Sequence, residues 1–140
     1  MRANSILYFS ILLIAGNATD IKAQTIDSLA FIEGITILFE SAEDRLTTDD
    51  EVQIDNLISK HLNTKLYRIE GHTDDVGNNA DNHALSEDRA YSVMEYLSVD
   101  GGVKASRIKF KGYGETKPIE ENNSIINKSK NRRTELTIIE

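Results

Sequence analysis

The chain has 140 residues, enough for one domain with a real core and too few for two ordinary ones. Hydrophobic residues at 39% and charged residues at 28% fit a globular protein and exclude a disordered or collagen-like one. A net charge of -7 argues against coating nucleic acid or anionic lipid by bulk electrostatics. The lack of cysteine excludes disulfides, thiolate catalysis, Cys-ligated zinc and lipid attachment through an N-terminal Cys.

The chain opens with Arg2 and then the apolar run Ile6 to Ala15, interrupted only by Ser10. That run has the length of a signal-peptide core and about half of the roughly 20 residues a membrane helix needs. Polar residues return at Asn17, Thr19 and Asp20, and Ala23 offers a small residue at a cleavage point. Residues 1–23 are therefore expected to be an export signal, with an uncleaved anchor or a buried first strand as the alternatives. Its removal takes away Arg2, Lys22 and Asp20 and leaves a more acidic chain, with a short lead-in over 24–33 and one domain over 34–140.

Beyond the lead-in, strand and helix signals alternate. Ile35, Ile37 and Phe39 at a spacing of two predict a strand covered mainly on one face. Thr47-Thr48-Asp49-Asp50-Glu51 is a capping start with acids in the first turn, and Ile54, Leu57, Ile58 and Leu62 continue it as a helix over about 48–62. Leu66 to Glu70 reads as a strand ended by Gly71, and the Asn, Asp and Gly residues from Thr73 to Asn82 read as a turn. A second helix is predicted from about Leu85 or Ser86, carrying Ala90, Val93, Met94 and Leu97 and stopped by Gly101-Gly102. Ile108 and Phe110 mark a third strand, Glu120 to Asn131 a polar stretch with a short helix, and Leu136 and Ile138 a last strand. Crossovers of this length predict an α+β fold, an α/β sandwich with helices packed on one face of a mixed sheet.

Four short motifs then stand in order: Gly71-His72-Thr73-Asp74, Asn82-His83-Ala84-Leu85-Ser86-Glu87-Asp88-Arg89-Ala90, Gly112-Tyr113-Gly114-Glu115 with Pro118, and Asn131-Arg132-Arg133. Together they resemble the OmpA-like C-terminal domain, the peptidoglycan-binding module of Pal-type and MotB-type proteins, over about residues 34–139. The resemblance implies an OmpA-like fold and a non-enzymatic periplasmic domain, associated with the outer membrane, that holds the cell wall by the diaminopimelate of its stem peptide. It also implies that Asp74 and Arg89 bind the amino and carboxylate groups at the free end of that residue. The chemistry agrees: a zwitterionic end needs one anion and one cation a few ångströms apart, and Arg can grip a carboxylate through two parallel hydrogen bonds. Thr73 and Asn82 resemble further ligand contacts, and Arg132 or Arg133 is expected to reach the same pocket.

Three positions depart from the family pattern. Asp81 stands where an aromatic residue is common, making one pocket wall more polar; Asp88 replaces a frequent basic residue and is a competitor for Arg89; Asn127 replaces a frequent Gly.

Plainer roles stand beside these. Asp74 suits a turn by itself, Arg89 suits a surface pair with Glu87 or Asp88, and Asn82 suits a helix cap. His72 suits a structural strand-to-turn corner.

No cofactor or metal is expected, because His61, His72 and His83 lie eleven apart and lack helical ligand spacing. A calcium loop with Gly77 sixth puts His83 where an acid belongs, and a Ser86-His72-Asp74 triad lacks a nucleophile elbow. Lys128, Lys130, Arg132 and Arg133 form a basic run, read as a solvated turn or as a local positive patch toward an anionic polymer, not as a nucleic-acid site. Since the resemblance spans nearly all of the expected mature chain, neither a barrel nor a lipid anchor is expected. What it tethers to the wall is then a separate envelope partner, a second copy, or nothing. The alternative function is a protein-interaction subunit of an envelope complex that uses the same fold without wall binding.

Overall fold

The computed structural model describes residues 31–139, so the expected export signal over 1–23 and most of the lead-in lie outside the described residues. The elements in chain order are β1 (Phe31–Leu38), α1 (Thr48–Lys60), β2 (Leu66–Gly71), α2 (Asn79–Val99), β3 (Ile108–Gly112), α3 (Ile125–Asn131) and β4 (Arg133–Ile139), with a 3-10 turn at Ala105–Arg107. The strands form one sheet in the order β1-β4-β2-β3. β4 runs antiparallel to both β1 and β2, while β2 and β3 are parallel and joined through α2. This is the mixed sheet that the alternating signals predict.

Its helix-facing side carries Ile37, Tyr67, Ile69, Leu136 and Ile138. Against them pack Ile54, Leu57 and Ile58 of α1 and Ala90, Val93 and Leu97 of α2. Burying these side chains, at about 1.5–3 kcal/mol each, is what holds the two layers together. No described helix is long and apolar enough to cross a membrane.

Local chemistry sets the helix ends. Thr47 caps α1 in a capping box: its hydroxyl accepts from the Asp50 amide at 3.3 Å, and the Asp50 carboxylate accepts from the Thr47 amide at 2.9 Å. The helix stops at Lys60, two residues short of the predicted end.

The second helix differs more from expectation. It begins at Asn79, six or seven residues before Leu85 or Ser86. Asn78 is its cap, accepting from the Asp81 amide at 2.9 Å while its own side-chain amide donates to the Asp81 carboxylate at 2.6 Å. The Asn and Asp residues that read as a turn are thus a cap and a first helical turn, since both roles favour the same side chains. Asn82 is accordingly inside the helix and is not its cap. The helix ends as predicted, with Gly102 left-handed at φ 65° and the Val103 amide donating to Leu97 O at 2.9 Å.

Helix α2 lies so close to the sheet that two glycines form its seat. A Cβ on Gly71 would stand 1.9 Å from the Ser86 carbonyl oxygen, and one on Gly112 would stand 2.5 Å from the Glu87 amide nitrogen. This contact brings the N-terminal half of α2 over the ends of β2 and β3, where the sequence motifs converge.

Candidate ligand-binding site

The turn from His72 to Asn78 leaves β2 at Gly71 and enters α2. Its backbone is pinned on both sides: the His72 amide donates to Arg133 O at 2.8 Å, and the Thr73 amide donates to Gly114 O at 3.0 Å. The three motifs on β2, after β3 and at the start of β4 are therefore tied to one another through main-chain bonds. Beside this turn is a cavity of about 250 Å³. Thr73, Asp74, Asn82, Arg89 and Arg132 all line it, together with Ser41, Ala42, Val76, Gly77, Asp81 and Leu85.

Asp74 is buried. One carboxylate oxygen accepts from the Val76 amide at 3.1 Å, an Asx-type turn, and the other accepts from Arg132 Nη1 at 2.9 Å. It is thus both the turn-former and a charged wall of the cavity.

Arg89 departs from the surface pair with Glu87 or Asp88. It is fully buried, with its guanidinium under the edge of the β1–α1 loop: Nε donates to Glu43 O at 2.8 Å, Nη1 to His72 O at 2.9 Å and Nη2 to Glu40 O at 3.0 Å. The Phe39 ring lies 5.0 Å from the guanidinium carbon. Burial, and then the charge of Arg132, lower its pKa to about 10, so it remains protonated at neutral pH. Three carbonyls occupy three of its five N–H donors. The remaining two are the ones a carboxylate could use.

Asn82, buried in the first turn of α2, donates from its amide to Asp74 O at 3.3 Å and to a Glu115 carboxylate oxygen at 2.5 Å. Thr73 is buried and its hydroxyl has no partner among the described residues. A buried hydroxyl in that condition is unusual and suits a ligand contact.

The basic run divides. Arg132 reaches the cavity, whereas Arg133 turns the other way and donates to Glu135 at 2.7 Å. Lys128 pairs with Asp75 at 2.6 Å and Lys130 with Glu120 at 2.9 Å. Each of the four cations has its own carboxylate partner, and of the two readings of the run, a solvated turn or a local positive patch, only Arg132 places a charge on the cavity.

The loop carbonyls around Arg89 had no sequence signal. They come from a segment in which Ala42 takes the left-handed conformation at φ 58°, a geometry costing about 1–2 kcal/mol for a residue with a Cβ.

His72 sits behind the cavity, 2% exposed, its ring stacked on Tyr113 at 5.6 Å. Neither ring nitrogen has a hydrogen-bond partner among the described residues, and Ser86 Oγ instead donates to His83 O and accepts from the Gly114 amide. The Ser86-His72-Asp74 triad is therefore not assembled. His61 pairs with Glu33 at 2.8 Å and His83 lies 3.9 Å from Glu87, so the three histidines occupy separate places.

Burial, followed by the charges of Arg133 and Lys117, lowers the His72 pKa from 6.5 to about 3. The unfolded chain takes up this proton below pH 6.5 and the folded chain only near pH 3, so stability is lost as pH falls through that window. Urea unfolding of wild type and His72→Phe from pH 7 to 4 should show a flatter profile for the variant, by up to about 1.4 kcal/mol per pH unit. Parallel profiles would mean that the ring is protonated in the fold.

A two-layer α/β domain with a charged cavity at the end of its sheet defines the class, and the comparisons define the family. A sequence model of the OmpA family matches residues 38–132, and the chain belongs to that family. It is 32% identical over 106 residues to outer membrane porin F of Pseudomonas aeruginosa, a match covering 74% of this chain and 30% of that protein. The chain therefore corresponds to less than a third of that relative. The C-terminal domain of MotB from Helicobacter pylori superposes with a TM-score of 0.65 at 30% identity, covering 72% of this chain and 81% of that one. The peptidoglycan-associated lipoprotein of Burkholderia pseudomallei shares the fold at a TM-score of 0.67 and 23% identity, covering 74% and 88%.

Proposed function

We propose that this domain binds cell-wall peptidoglycan non-covalently, through the free end of the diaminopimelate in its stem peptide, and thereby anchors or organises the periplasm. Membership of the OmpA family supports wall binding at the level of the family, whose domains bind or build structure and are not enzymes. The observation that carries the finer reading is the meeting of Asp74, Arg89 and Arg132 on one small cavity, beside the Thr73 hydroxyl, which has no partner among the described residues.

An α-amino-acid end brings one ammonium and one carboxylate. The two free N–H groups of Arg89 and those of Arg132 suit the carboxylate, and the remaining lone pairs of Asp74 suit the ammonium. Arg89 is held in place beforehand by its three carbonyls, so little side-chain freedom is lost on binding. Export by the N-terminal segment and a periplasmic location, at or near the outer membrane, complete the reading. Peptidoglycan is its partner, with an envelope protein or a second copy as the object tethered.

Cosedimentation with purified sacculi tests it. Asp74→Ala, checked for folding by circular dichroism, is expected to lose at least tenfold in apparent affinity, since truncating one partner of a buried charge pair costs about 2–5 kcal/mol. Retention equal to wild type would remove the pocket from wall binding and favour an envelope protein as the ligand of this fold.

A further inference from the structure

Four charged side chains line the cavity, Asp74, Asp81, Arg89 and Arg132, and they differ in what they have left to offer. Both oxygens of Asp74 are engaged, by Val76 and by Arg132, and the residue is only 5% exposed. Asp81 is the opposite case. It is exposed in the first turn of α2; one of its oxygens accepts from the Asn78 side chain at 2.6 Å, and the other has no donor among the described residues. That single bond steadies the carboxylate while leaving it open to solvent and to the cavity.

The balance of charge gives Asp81 its consequence. With it, the lining holds two anions and two cations; without it, the lining would hold one anion against two cations. A neutral lining suits a zwitterionic end, whereas a net positive lining favours an end that is only a carboxylate. We propose that Asp81 is a specificity-determining residue, which selects ligand ends carrying an ammonium beside the carboxylate over ends carrying the carboxylate alone. This rests on the wall-binding reading above and adds a second ammonium partner to it, at the cavity's outer wall, where Asp74 is already committed to Arg132.

The test uses two soluble stem peptides, L-Ala-D-Glu-meso-diaminopimelate and its counterpart lacking only the side-chain ammonium, titrated calorimetrically into wild type and Asp81→Asn. Asparagine keeps the shape and the bond to Asn78, so the fold is retained. Wild type should prefer the ammonium-bearing peptide. In Asp81→Asn that preference should shrink by about two- to fivefold, the range of a solvent-exposed ion pair, through weaker binding of the first peptide and equal or tighter binding of the second. An unchanged preference in the variant overturns the proposal, as does a wild type that binds both peptides equally, and in both cases the pocket itself still stands. A folded wild type that binds neither peptide overturns this assignment and the diaminopimelate reading together.

Discussion

Arg89→Ala is expected to destabilise the domain by about 3–5 kcal/mol, the cost of deleting one partner from a buried, hydrogen-bonded charge site. The substitution takes the arginine donor from the carbonyls of Glu43 and His72, and leaves that of Glu40 with the Glu43 amide at 3.2 Å; each orphaned group costs about 1–3 kcal/mol. It also opens a void beside Phe39, whose ring the guanidinium covers. Since small domains have only about 5–15 kcal/mol of stability, the variant should unfold at a much lower urea midpoint. The β1–α1 loop, held to α2 by two of those bonds, should be the first part to exchange its amides. Arg89→Lys should recover little, because an ammonium is a compact charge and does not reproduce the planar fork that meets three carbonyls from two segments. A midpoint within 0.3 M of wild type would show that the three bonds contribute nothing. The same variant tests binding only if it remains folded, which is why Asp74, rather than Arg89, is the sharper probe of the ligand site.

Gly71→Ala should be comparably severe for a different reason. The new Cβ would lie 1.9 Å from the Ser86 carbonyl oxygen and 3.3 Å from the Ala90 Cβ. The first of these is backbone in the middle of α2 and cannot rotate away. Relief requires α2 to retreat from β2 by more than an ångström, which would loosen Ala90, Val93 and Leu97 from the sheet. Overpacking of this kind costs about 1–3 kcal/mol and occasionally more. For a domain of this size each kcal/mol is worth about 4–8 °C in the melting temperature, so thermal unfolding should show a fall of about 4–24 °C. A fall of under about 3 °C would mean that helix and sheet are not in the contact described. Because the retreat also separates Asn82 and Arg89 from the turn at Thr73 and Asp74, any ligand binding should weaken in parallel.

Much of this architecture is legible in the residues. The period-two run at Ile35, the strand signal from Leu66 to Glu70, the capping start at Thr47 and the glycine stop at Gly101-Gly102 each report a local rule that the packing does not override. The ordered motifs brought Thr73, Asp74, Asn82 and Arg89 to one place, and the cavity does gather them with Arg132. The start of α2 was hidden because Asn and Asp serve turns and first helical turns equally well. The choice between Arg132 and Arg133 was hidden because it depends on where β4 begins. Arg132 is the residue that ends α3, and its Nε also donates to Phe39 O at 3.1 Å; Arg133 is the first residue of the strand and faces away. The cage around Arg89 was hidden most completely. It consists of backbone carbonyls, two from a loop 46 and 49 residues earlier and one from the turn 17 residues earlier, and carbonyls carry no sequence signature. A buried arginine with three main-chain partners thus looks, in sequence, like any helical surface residue beside two acids.

Asp81 illustrates the reverse. It stands out in the sequence as a departure from the family pattern, whereas the pairing of Asp74 with Arg132 and the two-against-two charge of the cavity lining exist only in the fold.

Cosedimentation of the folded protein with diaminopimelate-containing sacculi, wild type against Asp74→Ala, tests the central claim most directly. Wild type should pellet with the wall and Asp74→Ala should remain in the supernatant, while both give the same circular dichroism spectrum. A folded wild type that stays in the supernatant, or a folded Asp74→Ala that pellets equally well, would contradict the claim that this cavity is where the domain holds the wall.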